Sequence, residues 1–127
     1  ENNGTMTAAT TPSGNVSGTS GIGGVVGTNK SGTLTACYHA NGTVSGPAGT
    51  TGGVVGYNND TVTACYWGSN PDTGIGYNEG GSTTIETTKV TDGNWTNAVT
   101  QMNAALQNAG SEWRYELTGA LPTLKKQ

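Results

Sequence analysis

Apolar residues along this chain fall in short blocks set apart by Gly, Thr, Asn and Ser, and before residue 95 none recurs at helical spacing. The blocks are rich in Val, Ile, Thr and Tyr, which favour extended backbone. The Gly, Asn, Ser and Pro between them supply bends. Three strands are predicted in each of two successive stretches. The first is Asn15–Ser17, and again Thr43–Ser45; the second is Ile22–Thr28, and again Gly53–Tyr57. The third is Thr33–Tyr38, and again Thr61–Trp67. Alternation along the third strand puts Leu34, Ala36 and Tyr38 on one face, with Val62, Ala64 and Tyr66 above them. Leu34 and Val62 are expected inside. The pattern leaves open whether a kink near Ala36 also turns the cysteines inward, and how the adjacent valines Val25-Val26 and Val54-Val55 are disposed.

From residue 95 the period changes. Trp95, Val99, Met102, Leu106 and Ala109, with Ala98 and Ala105 beside them, predict a helix near 94–109. Asn94 is its expected N-cap and Gly110 its expected stop. Trp113, Tyr115 and Leu117 then alternate as in a strand, and Leu121 to Leu124 closes the chain.

The blocks repeat. Gly42-Thr-Val-Ser-Gly46 echoes Gly14-Asn-Val-Ser-Gly18, and Thr61-Val-Thr-Ala-Cys-Tyr66 echoes Thr33-Leu-Thr-Ala-Cys-Tyr38, each 28 residues on. Gly52-Gly-Val-Val-Gly56 follows Gly23-Gly-Val-Val-Gly27 by 29 residues, because one loop is longer and the next is shorter. Gly4 to Thr10 matches Gly32 to Tyr38, and Gly76-Tyr-Asn78 matches Gly56-Tyr-Asn58. Fixed-period self-similarity with indels confined to loops points to stacked equivalent units. The fold expected is mostly β: a short parallel β-solenoid, three strands per 28-residue coil, with a C-terminal cap containing one α-helix. Residues 1–78 form the solenoid, with a partial coil over 1–13, full coils over 14–41 and 42–69, and a degenerate coil over 70–78. Residues 79–127 form the cap, with a strand near Thr84-Ile-Glu86, and the helix is expected to cover the open end of the stack. Since the first residues begin partway through a unit, the rest of a longer parent protein is expected upstream.

Composition fits thin coils better than a large closed core. Gly, Thr and Asn number 22, 23 and 13, and apolar residues make up only 31% of the chain, with no Phe. A net charge of −3 is too small to hold such a chain open by repulsion. Five basic residues cannot line a phosphate-tracking groove, so nucleic acid is not an expected partner. No stretch approaches the ~20 apolar residues of a membrane span, so no direct membrane insertion is expected.

The ordered blocks Gly14 to Gly18, Gly23 to Asn29 and Gly32 to Tyr38, with their second copies, resemble the GLUG repeat of bacterial surface proteins. That family is similar to Gly-Gly-Leu-Val-Gly-Tyr-Asn, then a Gly-Thr-Ile turn and strand, then Cys-Tyr. Here Val25 and Val54 stand in place of the Leu, and Thr28 in place of the Tyr found at Tyr57. The likeness covers residues 4–67 well and 68–78 loosely. It implies a secreted or cell-surface bacterial protein of adhesin-like style, and it carries over no catalytic residue.

Candidate chemistry is sparse. Cys37 and Cys65 lie one period apart, and a free thiol ladder, a disulfide and a metal site are the three readings. Ala9 in the same column favours the ladder. Asn29, Asn58 and Asn78 follow equivalent Gly-Thr or Gly-Tyr pairs and read as a corner ladder of amides or as a ligand site. Asn58-Asn59-Asp60 and Asp92-Gly93-Asn94 read as turns or as calcium loops. Tyr57, Trp67 and Tyr77 are the candidate ligand-binding aromatics, platforms for sugar rings; the competing reading stacks the two tyrosines and lays Trp67 over the connector. The eight acidic residues are scattered, and the only His is His39, so neither a carboxylate pair nor a nucleophilic triad is assembled. The chain is therefore expected to be no enzyme and to use no cofactor. The function expected is a non-catalytic extracellular structural or adhesive spacer that contacts host or bacterial surface glycans or proteins. A carbohydrate-binding module and an accessory domain of a surface peptidase or glycosidase are the alternatives.

Overall fold

The computed structural model describes residues 1–79 and 85–127. Its strands are β1 (Thr5–Thr7), β2 (Thr10–Ser13), β3 (Val16–Ser17), β4 (Ile22–Gly23), β5 (Val26–Asn29), β6 (Thr33–Thr35) and β7 (Tyr38–Asn41). They continue as β8 (Val44–Ser45), β9 (Thr51–Gly52), β10 (Val55–Asn58), β11 (Thr61–Trp67), β12 (Ile75–Asn78) and β13 (Ile85–Lys89). Helix α1 (Thr96–Asn108) and a hairpin of β14 (Trp113–Glu116) and β15 (Thr123–Lys126) follow. The chain is mostly β with one helix among the described residues.

Pairing follows the period. Thr5, Thr33 and Thr61 share one register, as do Met6, Leu34 and Val62, all in parallel. β1, β6, β11, β7 and β2 with β13 form a six-stranded parallel sheet, curled as a half-barrel. β12, β10 and β5 form a second parallel sheet, and β3–β8 and β4–β9 form two-stranded parallel ladders.

Thr61–Trp67 runs whole as β11, while the other long strands expected from the sequence are cut short, for a local reason. The stretch 22–28 bends between β4 and β5, and 53–57 bends at the same place between β9 and β10. That bend lets the adjacent Val54 and Val55 both reach 0% exposure in one core. The stretch 33–38 breaks at Ala36, whose φ is +56°; Ala8 and Ala64, its equivalents, have φ of +57° and +50°. One left-handed residue resets the alternation. Leu34 and Cys37 therefore share the interior with Val62 and Cys65, while Ala36 and Tyr38 turn to the opposite side. The expectation that Leu34, Ala36 and Tyr38 share a face is corrected on this point.

That opposite side is covered by α1 and the hairpin. Trp95, Ala98, Met102 and Leu106 pack with Ala8, Ala36, Tyr38 and Tyr66. Gln101, Ala104 and Ala105 lie beside Thr35 of β6 and Thr63 and Ala64 of β11, so α1 runs along the flank of the sheet and does not lie across the end, as expected. Ala109, placed on the apolar face by its spacing, is exposed. Trp95, not Asn94, flanks the first turn, and the Thr96 N–H donates to Asn94 Oδ1 at 3.1 Å. Gly110 does end the helix. With φ of +73° it lets its own N–H reach the Gln107 carbonyl and the Ser111 N–H reach the Leu106 carbonyl, each at 3.0 Å. The hairpin is locked by two buried phenols: Tyr115 donates to the Ala36 carbonyl and Tyr38 donates to that of Pro122, both at 2.6 Å.

β13 pairs in parallel with β11, Val62 opposite Ile85 and Trp67 opposite Lys89, so residues 85–89 extend the main sheet. Of the strand expected near Thr84-Ile-Glu86, Thr84 lies outside the described residues. No described helix is long and apolar enough to cross a membrane.

Candidate functional site

Asn29, Asn58, Asn78, Tyr57 and Tyr77 gather at one corner, where β5, β10 and β12 end. Successive side chains on a strand point to opposite sides. In β10 this sends Asn58 inward, to 0% exposure, and Tyr57 outward. The same alternation in β12 brings Tyr77 into register with Tyr57 and Asn78 with Asn58. The two rings stack at 5.3 Å between centroids and 19° between planes. Thr28 occupies the matching place in β5. Tyr77 is 49% exposed, the most exposed large apolar side chain among the described residues. A hydrogen bond to the Glu79 carboxylate, with a smaller contribution from burial, pushes the Tyr57 phenol up to about 12.

Behind the tyrosines the asparagine amides run in one direction. Asn2 Nδ2 donates to Asn29 Oδ1 at 3.0 Å, Asn29 to Asn58 at 2.8 Å, and Asn58 to Asn78 at 3.1 Å. Each of the first three also donates to a nearby carbonyl: Asn2 to Gly4, Asn29 to Gly32 and Asn58 to Asp60. The amides of Asn29 and Asn58 are thus consumed by the fold. Asn2 was missed by sequence reasoning. Its signal was the Gly4-Thr5 pair, which aligns with Gly32-Thr33 after a loop one residue shorter.

Trp67 is not brought to this corner surface. It is 4% exposed, and its indole N–H donates to the Pro71 carbonyl at 2.7 Å. Gly53 and Gly74 make room for the ring, since a Cβ at either would lie within 2.7 Å of an indole atom. Its role as an exposed platform is withdrawn on that ground. His39, in register beneath it, is also fully buried, with Nε2 3.0 Å from the Gly42 carbonyl and no hydrogen-bond partner for Nδ1.

Cys37 and Cys65 are free thiols buried in the same interior. Their sulfurs face the Thr35 and Thr63 carbonyls at 3.4 Å each. Burial holds the Cys65 thiol well above its ordinary range. The suggested calcium loops are closed by their own turns: Asp92 Oδ1 accepts from the Asn94 N–H at 3.0 Å, and Asp60 Oδ1 from the Thr61 hydroxyl at 3.2 Å. Among the described residues no three His, Cys, Asp or Glu side chains are gathered as for a metal.

A polar trough lies between α1 and the strands. Two adjoining depressions of about 380 and 330 Å³ share Ala64, Glu86 and Gln101, and Thr35, Thr63 and Asn108 line the larger. Glu86 is the one carboxylate in both, so the trough holds no acid–base pair. No family model matches the chain, and neither a curated protein nor a solved structure does.

Proposed function

We propose that the chain is a short β-solenoid of GLUG-type repeats and serves as a non-catalytic structural and adhesive spacer of a bacterial secreted or cell-surface protein. The observation that carries this reading is the register. Thr5–Thr33–Thr61, Met6–Leu34–Val62 and Asn29–Asn58–Asn78 place like residues over like at the spacing of parallel strands, about 4.8 Å. Such columns give stiffness and a repeated surface, and no column converges titratable groups on one cleft. An adhesive spacer binds weakly as a single copy and gains through many. The test compares the purified chain, free and coupled in many copies to beads, on a glycan and matrix-protein array, beside a panel of peptidase and glycosidase substrates. We expect no turnover and binding that rises steeply with copy number. Turnover abolished by substituting Glu86 would overturn the reading.

A second reading, carbohydrate binding, is favoured by one observation: the exposed Tyr77 ring stacked on Tyr57. It differs by predicting saturable binding of a single copy to one class of glycan, lost in Tyr77→Ala with the melting temperature unchanged. An accessory role beside a surface peptidase or glycosidase is compatible with either reading.

A further inference from the structure

The polar groups of the asparagine column bond to one another, and those of the trough beside α1 do not. Thr35 and Thr63 are in register on β6 and β11, and their carbonyls face the cysteine sulfurs. Among the described residues their hydroxyls bond to nothing, and neither do the side chains of Glu86, Gln101 and Asn108. Other polar groups on α1 are used. Asn103 exchanges two bonds with the Tyr115 backbone, at 2.9 and 2.7 Å, and the Thr100 hydroxyl donates to the Thr96 carbonyl at 3.2 Å.

The unused groups line one space. Gln101, Ala104, Ala105 and Asn108 form one stripe of the helix, at i, i+3, i+4 and i+7. The short alanines leave the gap to the sheet open as the two adjoining depressions of about 380 and 330 Å³. Each is of the size that small-molecule sites have, roughly 300–1,000 Å³. Thr35 sets the site apart from an ordinary wet surface. It is only 7% exposed, and a hydroxyl held that deep is costly without a partner. A ligand in the trough supplies one.

The lining selects the ligand. Thr hydroxyls and Gln and Asn amides both donate and accept, while the Glu86 carboxylate only accepts. The match is a molecule with many hydroxyls, each able to do both. Glu86 is the one charged side chain in either depression, so an anionic ligand is opposed. A peptide held by its backbone fits less well, because β11 lies between β6 and β13 and has no free ladder to offer.

We propose that the trough binds an uncharged, hydroxyl-rich glycan chain. Glu86 accepts from sugar hydroxyls, Thr35 and Thr63 bond to the chain from the sheet side, and Gln101 and Asn108 from the helix side. The proposal rests on the adhesive reading above and names its ligand class and its site, away from Tyr77.

The test is a nuclear magnetic resonance titration of the isotope-labelled 127-residue chain with cellotetraose, N-acetylchitotetraose and maltotetraose. At least one should shift the amide signals of Thr35, Thr63, Ala64 and Gln101 together and saturably. Thr35→Val keeps the shape and removes the hydroxyl. It should weaken that binding by about three- to tenfold and melt no lower than the unaltered chain. Gln101→Ala, at an exposed helical position, should weaken it by a similar factor. Tetragalacturonate, equally long but anionic, should bind more weakly than the best neutral sugar. The proposal is overturned by an unmoved trough with all three neutral sugars, by equal affinity for tetragalacturonate, or by both variants binding as tightly as the unaltered chain. Trough shifts caused by a Ser- and Asn-rich peptide and by no sugar overturn it as well. Sugar shifts confined to Tyr57 and Tyr77 overturn it and leave the carbohydrate reading standing. Bead-coupled chains that adhere to no glycan or matrix protein remove the adhesive reading and the proposal together.

Discussion

The main sheet has two buried faces, and they are built in opposite ways. Apart from Trp67, which lies over His39, the interior holds Val26, Leu34, Cys37, Val54, Val55, Val62 and Cys65, small or medium residues stacked on their own equivalents. The flank sets the stacked Tyr38 and Tyr66 against Trp95, Met102, Leu106 and Tyr115, large residues from elements outside the repeat. A single strand feeds both, because the left-handed Ala36 and Ala64 rotate the chain between Leu34 and Tyr38 and between Val62 and Tyr66. In a stacked interior each residue's neighbour is fixed by the repeat. On the flank, each neighbour is fixed by a contact with distant chain, as when Tyr115 reaches Ala36.

The largest test of this contrast removes one anchor from each face. Trp95 is 3% exposed and packs on Tyr38 at 5.1 Å between ring centroids. Trp95→Ala should cost about 3–5 kcal/mol, and Leu34→Ala about 2–5 kcal/mol. Chemical denaturation followed by near- and far-ultraviolet circular dichroism distinguishes them. Loss of Trp95 should release α1 and the hairpin first and leave the parallel strands folded; loss of Leu34 should unfold both together. A Trp95→Ala chain that melts in one step with the strands would mean that the stack cannot stand without its flank.

The same contrast explains what the sequence disclosed. In-register pairing of Thr33–Thr35 with Thr61–Thr63 follows directly from the period, and Gly110 marks the helix end because only a left-handed residue completes that cap. The break at Ala36 was hidden because alanine does not advertise left-handed backbone, as Gly or Asn would. Trp67 looked exposed beside polar neighbours, and the space that buries it is made by Gly53 and Gly74, one of them in another block. β13 was assigned to the cap because only Ile85 keeps an apolar place from the repeat, opposite Val62. The trough between α1 and β13 depends on where the helix lies, and the helical period fixes a face without naming its partner.

A middle-sized effect separates the inside of a column from its end. Asn58→Ala strands the buried amide of Asn29 and removes the bond to the Asp60 carbonyl. One stranded polar group costs about 1–3 kcal/mol. Asn78→Ala, at an exposed end, should stay within about 0.5 kcal/mol. Urea melts of both check the difference. Equal losses would mean that the ladder is a surface ornament throughout.

A smaller effect probes the flank by pH. Burial pushes the Tyr115 phenol far above the ordinary tyrosine range, and Tyr38 and Tyr66 are raised for the same reason. The folded chain then holds protons that the unfolded chain has lost. Stability is therefore fully present below about pH 10 and falls as pH rises beyond it. Tyr115→Phe should cost about 1 kcal/mol at neutral pH, through the lost bond to Ala36, and should shallow the alkaline fall. An unchanged alkaline slope in Tyr115→Phe would place the linked protons elsewhere.

The smallest expected effect tests the residue that divides the two faces. Ala64 is half-buried with φ of +50°, a conformation that costs an L-residue about 1–2 kcal/mol. Glycine removes that strain but adds freedom to the unfolded chain, worth about 0.5–1 kcal/mol in the other direction. The two nearly cancel, so Ala64→Gly should change stability by less than about 1 kcal/mol. It should also keep Cys65 in the interior, so that a thiol reagent reads no native cysteine and two after unfolding. If Ala64→Gly instead loses more than about 2 kcal/mol, its methyl is a packing element of the flank and not merely a tolerated strain. A native thiol that reacts in this variant would show that the turn at 64 depends on the methyl, and that the division between interior and flank is set by packing rather than by backbone.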